Sequence, residues 1–262
     1  MAESKTRIWK TLQSEVREMS EREPILASFL YATVLNHSTF EEAMSFLLAS
    51  KLASPTIHSI TLRDVMWRAH QEDPAIADAS IADLIAVRDR DAACTTYTQP
   101  FLYFKGYHSL QTYRVANHLW KSGRRELALH IQSRMSEIFA VDIHPAARIG
   151  RGIMMDHGTG VVIGETAVVE DNVSIMHEVT LGGTGKHGGD RHPKIRKGCL
   201  ISVGAKILGN IEIGEGAKVG GGAVVLNDVP PHTTVAGIPA KPVGMVKGAP
   251  AREMDQCFGD GI

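Results

Sequence analysis

Between Ile143 and Val225 an aliphatic residue recurs every six positions. Ile143, Ile149, Met155, Val161, Ala167, Val173 and Val179 form one run, and after an interruption over Gly185–Lys194 the step resumes through Ile195, Ile201, Ile207, Ile213, Val219 and Val225. Three residues after these positions runs a second series rich in residues that tolerate a positive φ: Gly152, Gly158, Gly164 and Gly182, then Gly198, Gly204, Asn210, Gly216 and Gly222. A helix needs a period near 3.6, and a half-buried strand needs alternation by two. A six-residue repeat of aliphatic and turn residue predicts a parallel β-helix, in which each repeat buries its aliphatic against the repeats above and below.

The chain before Ile143 follows a different period. Ile8, Leu12, Val16 and Met19 predict a helix over 5–20, and 24–35 reads as a second, more buried one. Ser38 with Glu41 makes a capping box for a third helix, Asp73-Pro74 opens one running to about Val87, and further helices are expected over 100–120 and 125–139. The predicted division is a helical N-terminal domain over 1–140, serving assembly and part of the site, a β-helix over 141–242 with a loop at 185–194, and a flexible tail over 243–262. The fold class is therefore α+β. Bare β-helix ends expose strand edges, and the helices are expected to cap one of them.

Composition narrows the function. With 44% hydrophobic and 22% charged residues and a formal charge of −1, the chain has no basic excess for nucleic acid. Its longest apolar stretch, 24–35, is too short to span a bilayer, so no membrane role and a cytoplasmic location are expected. Cys94, Cys199 and Cys257 are widely spaced, with no C-x-x-C pair, and are expected to stay reduced.

Titratable residues gather where the hexads turn: Asp142, His144, Asp156, His157 and His177, then Arg191 and His192 in the interrupting loop. A histidine held by a carboxylate takes a proton from a hydroxyl and later returns it, and Asp142 with His157 is a candidate pair. The loop's glycines, Gly182, Gly183, Gly185 and Gly188, let a ligand approach backbone amides, and Arg191 and His192 suit a carboxylate. Arg88-Asp89-Arg90-Asp91 reads by itself as a solvated linker.

The runs Val141-Asp-Ile-His-Pro-Ala-Ala147, Gly152-Ile-Met-Met-Asp-His-Gly158 and Leu181-Gly-Gly-Thr-Gly-Lys-His-Gly-Gly-Asp-Arg-His-Pro-Lys-Ile195 resemble the bacterial serine acetyltransferases of the hexapeptide-repeat acyltransferase superfamily. The likeness extends to Arg88–Asp91, to the Pro-Pro-His-Thr-Thr-Val-Ala-Gly-Ile-Pro-Ala240 segment and to the terminal Gly-Asp-Gly-Ile262. It implies a left-handed β-helix and transfer of acetyl from acetyl-CoA to the hydroxyl of L-serine, with no metal. It further implies that His157 is the general base and Asp142 its orienting carboxylate. Asp91 and Asp156 would hold the serine amino group, and Arg191 and His192 its carboxylate. Gly183, Thr184, Val203, Gly221 and Lys241 would bind CoA. The resemblance also implies a trimer or dimer of trimers, feedback by L-cysteine, and capture of the Ile262 tail by O-acetylserine sulfhydrylase. His187 stands where relatives often carry a small polar residue, and the section before the tail is shortened to Met254-Asp-Gln-Cys-Phe258.

A metal-dependent lyase of the γ carbonic anhydrase type shares the β-helix and would use His177, His187 and His192 as ligands. A non-catalytic trimeric scaffold, or a sugar, antibiotic or homoserine as acetyl acceptor, are the remaining alternatives.

Overall fold

The computed structural model describes residues 2–185 and 188–257. The helical half comprises α1 (Ala2–Arg22), α2 (Ala27–Leu30) within a helical run from Pro24 to Leu35, α3 (Phe40–Leu52), α4 (Ser59–Glu72), α5 (Ala75–Arg90), α6 (Thr98–Tyr103), α7 (Lys105–Lys121) and α8 (Arg125–Phe139). The capping box of α3 lies one residue later than expected: Thr39 Oγ1 accepts from Glu42 N at 3.2 Å, and the Glu42 carboxylate reaches back to Thr39 N. The helix expected over 100–120 breaks at Phe104. There α7 turns onto the β-helix so closely that a Cβ on Gly106 would stand 2.2 Å from Met155 O. Helix α4 had no counterpart in the sequence reading, because charged residues dilute its apolar positions Leu62, Met66 and Ala69. Arg88, Asp89 and Arg90 are no linker but the last turn of α5, with Asp91 as its C-cap.

From Val141 the chain winds into a left-handed β-helix of three parallel sheets. Sheet A holds β1 (Val141–Ile143), β4 (Val161–Ile163), β7 (Thr180–Gly182), β10 (Lys206–Leu208) and β13 (Val224–Val225). Sheet B holds β2 (Arg148–Ile149), β5 (Val168–Val169), β8 (Lys194–Ile195) and β11 (Glu212–Ile213). Sheet C holds β3 (Met154–Met155), β6 (Ser174–Ile175), β9 (Leu200–Ile201), β12 (Lys218–Val219), β14 (Thr233–Ala236) and an antiparallel last strand, β15 (Lys241–Met245).

The register corrects the simple hexad count. Ile143 pairs with Ile163, Ile149 with Val169 and Met155 with Ile175, twenty residues apart each time. Ile163 then pairs with Leu181 eighteen residues on, Val169 with Ile195 twenty-six on, and Ile195 with Ile213 eighteen on. A regular coil is therefore eighteen residues, with a surplus of two in the turn at 156–160 and of eight in the loop between Leu181 and Ile195. The first surplus was invisible because each hexad has two interior positions. Val161 and Ile163, and likewise Val179 and Leu181, are all buried, so a step of six slipped from one column to the other without meeting a polar residue.

One apolar core runs through both halves, from Ile8 to Val235. The first rung is seated on α7: Tyr113 Oη donates to Ala147 O at 2.5 Å, and Asn117 Nδ2 donates to Pro145 O at 2.7 Å. At the far end, residues from 243, expected to open a flexible tail, continue β15 and then form a helical turn, α9 (Pro250–Glu253). Ala251 is buried there and its carbonyl accepts from Ser174 Oγ at 2.7 Å, while Met254 packs near Val87, Cys94 and Met154. Burial explains why this part of the tail is fixed. Phe258–Ile262, with the predicted partner-binding Ile262, lies outside the described residues, as does His187. Among the described residues no helix is long and apolar enough to cross a membrane. All three cysteines are free, and burial pushes the Cys94 thiol up to about 11 and that of Cys199 up to about 12.

Candidate active site

The candidate site residues occupy the two edges that flank sheet A. On the edge where sheet C turns into sheet A, the two surplus residues widen the turn. His157 adopts a left-handed φ of 54°, a conformation that disfavours a side chain and recurs at functional turns. Its side chain is 71% exposed, with Nε2 3.7 Å from Asp156 Oδ1. The His157 ring meets His177, one coil below, edge to face at 5.5 Å between centroids. His177 Nδ1 is buried without a hydrogen-bond partner. Gly204 N, in the next coil, donates to His177 O, and Gly222 N donates to Val203 O. His157, His177, Val203 and Gly221 thus form one column down this edge. Lys241 lies at its foot, beside Ala240, whose amide donates to Val224 O.

Helix α5 delivers Asp91 to the same neighbourhood. Asp91 Oδ1 accepts from Ala93 N at 2.8 Å, and Cys94, three residues on, packs with Met154, two residues before Asp156. Asp142 is on the exposed face of sheet A and accepts from Gln132 Nε2 of α8 at 2.7 Å. Among the described residues no hydrogen bond joins Asp142 to His157, whose one ion-pair contact is Asp156.

Arg191 and His192 belong to the other edge, where sheet A turns into sheet B, together with Gly183 and Thr184. Thr166, from the coil above, organises them: its Oγ1 accepts from Arg191 N at 3.0 Å and from His192 N at 3.1 Å. Its own amide donates to His192 Nδ1 at 3.2 Å, with the hydroxyl 2.8 Å from the same nitrogen. That network assigns the ring hydrogen to Nε2, leaving a neutral imidazole with one donor to offer. Burial, with the Arg191 charge beside it, holds the His192 pKa below the usual histidine value. The ring fills space that Gly164 leaves open, since a Cβ there would stand 2.0 Å from Nε2. Gly164 is therefore a glycine for room, not for a positive φ. Arg191 Nη2 is 2.6 Å from Glu165 Oε2, and this contact lowers the Glu165 pKa.

In one chain, then, Asp91, Asp156, His157, His177, Val203 and Gly221 share one edge, and Gly183, Thr184, Arg191 and His192 share another, with Asp142 on the sheet between. His177 and His192, cast together by the metal-lyase reading, stand on different edges. Sequence reasoning left His177 unassigned and missed Glu165, Thr166 and Gln132. The doublet Glu165-Thr166 at a hexad turn, one coil before the loop, was the available signal.

Residues 8–112 match the family described as Serine acetyltransferase, N-terminal, and residues 192–227 match Bacterial transferase hexapeptide (six repeats). A serine acetyltransferase of Salmonella typhimurium is 54% identical over 265 residues, 97% of each chain. The chain belongs to the serine acetyltransferase family. Among solved serine acetyltransferases, one in complex with cysteine is 50% identical with a TM-score of 0.95, covering 97% of this chain and 99% of that one. The soybean serine acetyltransferase complexed with serine is 56% identical with a TM-score of 0.90, covering 92% and 99%. The Brucella abortus serine acetyltransferase in complex with coenzyme A is 50% identical with a TM-score of 0.90, covering 92% and 96%.

Proposed function

We propose that the chain transfers the acetyl group of acetyl-CoA to the hydroxyl of L-serine, giving O-acetyl-L-serine and CoA in the first step of cysteine biosynthesis. The observation that carries this reading is the 54% identity to a serine acetyltransferase across 97% of both chains. The serine-bound and CoA-bound relatives support the two substrates.

In this reading the serine ammonium sits between Asp91 and Asp156, and its carboxylate meets Arg191 and the Nε2–H of His192. His157 takes the hydroxyl proton as the oxygen attacks the thioester carbonyl, and Asp142 orients and charge-balances the imidazolium. A backbone amide near Gly183 or Gly221 stabilises the tetrahedral oxyanion. Collapse breaks the C–S bond, and the departing thiolate recovers the proton from His157. Thr184, Val203 and Lys241 complete the CoA contacts. No step calls for a metal.

The placement of these groups on two edges supports a site closed between neighbouring copies, in a trimer or a dimer of trimers joined through the helical domain at 1–140. L-Cysteine carries serine's ammonium and carboxylate, so the same contacts suit it as a feedback inhibitor, in keeping with the cysteine-bound relative. The 243–262 segment ends at Ile262, proposed to enter O-acetylserine sulfhydrylase. Deleting Ile262 should abolish that binding and spare acetyl transfer, and equal binding by the truncated and intact chains would refute the assignment. A cytoplasmic location goes with this metabolic role. Thiol release from acetyl-CoA, measured with serine, homoserine and sugar acceptors, tests the activity itself. Serine should give by far the highest kcat/KM, and faster turnover of another acceptor would overturn the reading.

A further inference from the structure

Asp83, at 0% exposure, is the most deeply buried carboxylate outside the candidate site, and it ties three elements together. Its Oδ2 accepts from Arg114 Nη2 at 2.6 Å, Arg114 Nε at 2.9 Å and Gln111 Nε2 at 3.1 Å, all from α7. Its Oδ1 accepts from Ile153 N at 2.9 Å, in the turn between sheets B and C of the first coil. Arg114 Nη2 continues to Gly150 O at 2.7 Å in the same turn. Both Asp83 oxygens are paired, and burial raises the Asp83 pKa while Arg114 and the other donors oppose that rise.

A buried ion pair is a poor source of stability, because desolvation consumes most of the attraction and apolar packing of equal volume serves as well. What the pair supplies beyond packing is direction. Asp83 lies eight residues before Asp91 on α5, about 12 Å along a rigid helix axis. Ile153 lies three residues before Asp156, about 10 Å along a strand. Both carboxylates of the ammonium site are thus carried on stiff arms that cross at one pin. Near the far ends the arms are braced again, by Arg90 Nη1 on Ser174 Oγ at 3.1 Å and by the close approach of Gly106 to Met155.

We infer that Asp83, with Arg114, is a positioning residue that sets the spacing of Asp91 and Asp156 and thereby the affinity for the amino-acid substrate. The inference rests on the reading that those two carboxylates hold the serine ammonium. Its test is steady-state kinetics on the full-length protein with both substrates, alongside thermal unfolding. Asp83→Asn should raise the serine KM about tenfold while leaving the acetyl-CoA KM within about twofold, since small displacements of a binding group cost this much or more. Asp83→Leu with Arg114→Met removes the charges and keeps the volume. It should keep the raised serine KM, because the bonds to Ile153 N and Gly150 O are gone. Should Asp83→Asn not fold, Arg114→Lys keeps the charge but loses the fork and should show the same split in smaller degree. Unchanged serine KM in the folded variants, or equal rises for both substrates, overturns the inference. Asp91→Asn separates the two claims. If it leaves serine KM unchanged, the ammonium-site reading falls and takes the inference with it; if it raises serine KM while the Asp83 and Arg114 variants do not, only the inference falls.

Discussion

The two edges of sheet A differ in how tightly they hold their histidines. On one, His157 projects from a left-handed turn with its side chain 71% exposed and a single carboxylate 3.7 Å away. On the other, His192 is 7% exposed and is held in one tautomer by Thr166. A group that exchanges a proton with substrate needs access and both protonation states, whereas a group that recognises a carboxylate needs a fixed donor. The difference also bears on assembly. Under the proposed function, groups separated by the width of a sheet face would meet one small amino acid where a second copy brings its edge alongside.

Disabling each edge in a different chain separates their roles most directly. His157→Ala should lower kcat by about a hundredfold or more with the fold intact, since general-base catalysis contributes 10² to 10⁴. Arg191→Ala should act mainly on serine KM. In the proposed trimer, reassembly from equal amounts of the two variants would place an intact His157 edge against an intact Arg191 edge at about one interface in four, by the statistics of a cyclic heterologous contact. Activity near a quarter of the native level is expected under limiting serine, and no gain over the separate variants would put the whole site within one chain.

A smaller effect is expected from Gly164→Ala, which drives a methyl group into the His192 ring. Overpacking of this kind costs about 1–3 kcal/mol in stability. Displacing the ring should raise serine KM about tenfold with acetyl-CoA KM little changed, as measured by initial rates. Equal KM values for serine in variant and native protein would remove His192 from carboxylate recognition.

The least effect concerns acid. His192 and His144 on the same edge have pKa values lowered first by burial, so below the ordinary histidine pKa the unfolded chain binds protons that the folded chain refuses. Their contribution to stability is present above about pH 6.5 and is lost as pH falls toward their folded values. In the helical half, His70 and His108, lowered to about 4 and about 3, act in the same sense over a longer range. His192→Asn should therefore flatten the fall of Tm between about pH 6.5 and 5, and an unchanged slope would contradict the lowered His192 pKa.

The β-helix was legible because a six-residue period leaves no helix or alternating strand to compete with it. Its register was not, because Val161 and Ile163 are both interior and the surplus at 156–160 changes which of them the count follows. The same limit hid Thr166. A polar residue at a turn looks solvated until the coil stacked on it is known, and the eight-residue surplus puts Arg191 and His192 twenty-five and twenty-six positions away. Asp156-His157 stood out by residue type alone. The α5 end was misread because alternating charge hides the helical turn that carries Asp91.

The seating of the first rung on α7 has a consequence for how the chain is made. Carbonyls of Pro145, Ala147 and Gly150 are taken up by Asn117, Tyr113 and Arg114, which leave the ribosome before the rung they will hold. Domains emerging N-terminal end first fold in that order. Each new coil of some eighteen residues then adds to a finished edge, so that only the newest coil's strands, one in each sheet, are open to pairing with a stranger. Beyond the last parallel coil β15 reverses direction and lies antiparallel on β14, ending the parallel growth of sheet C within its own chain.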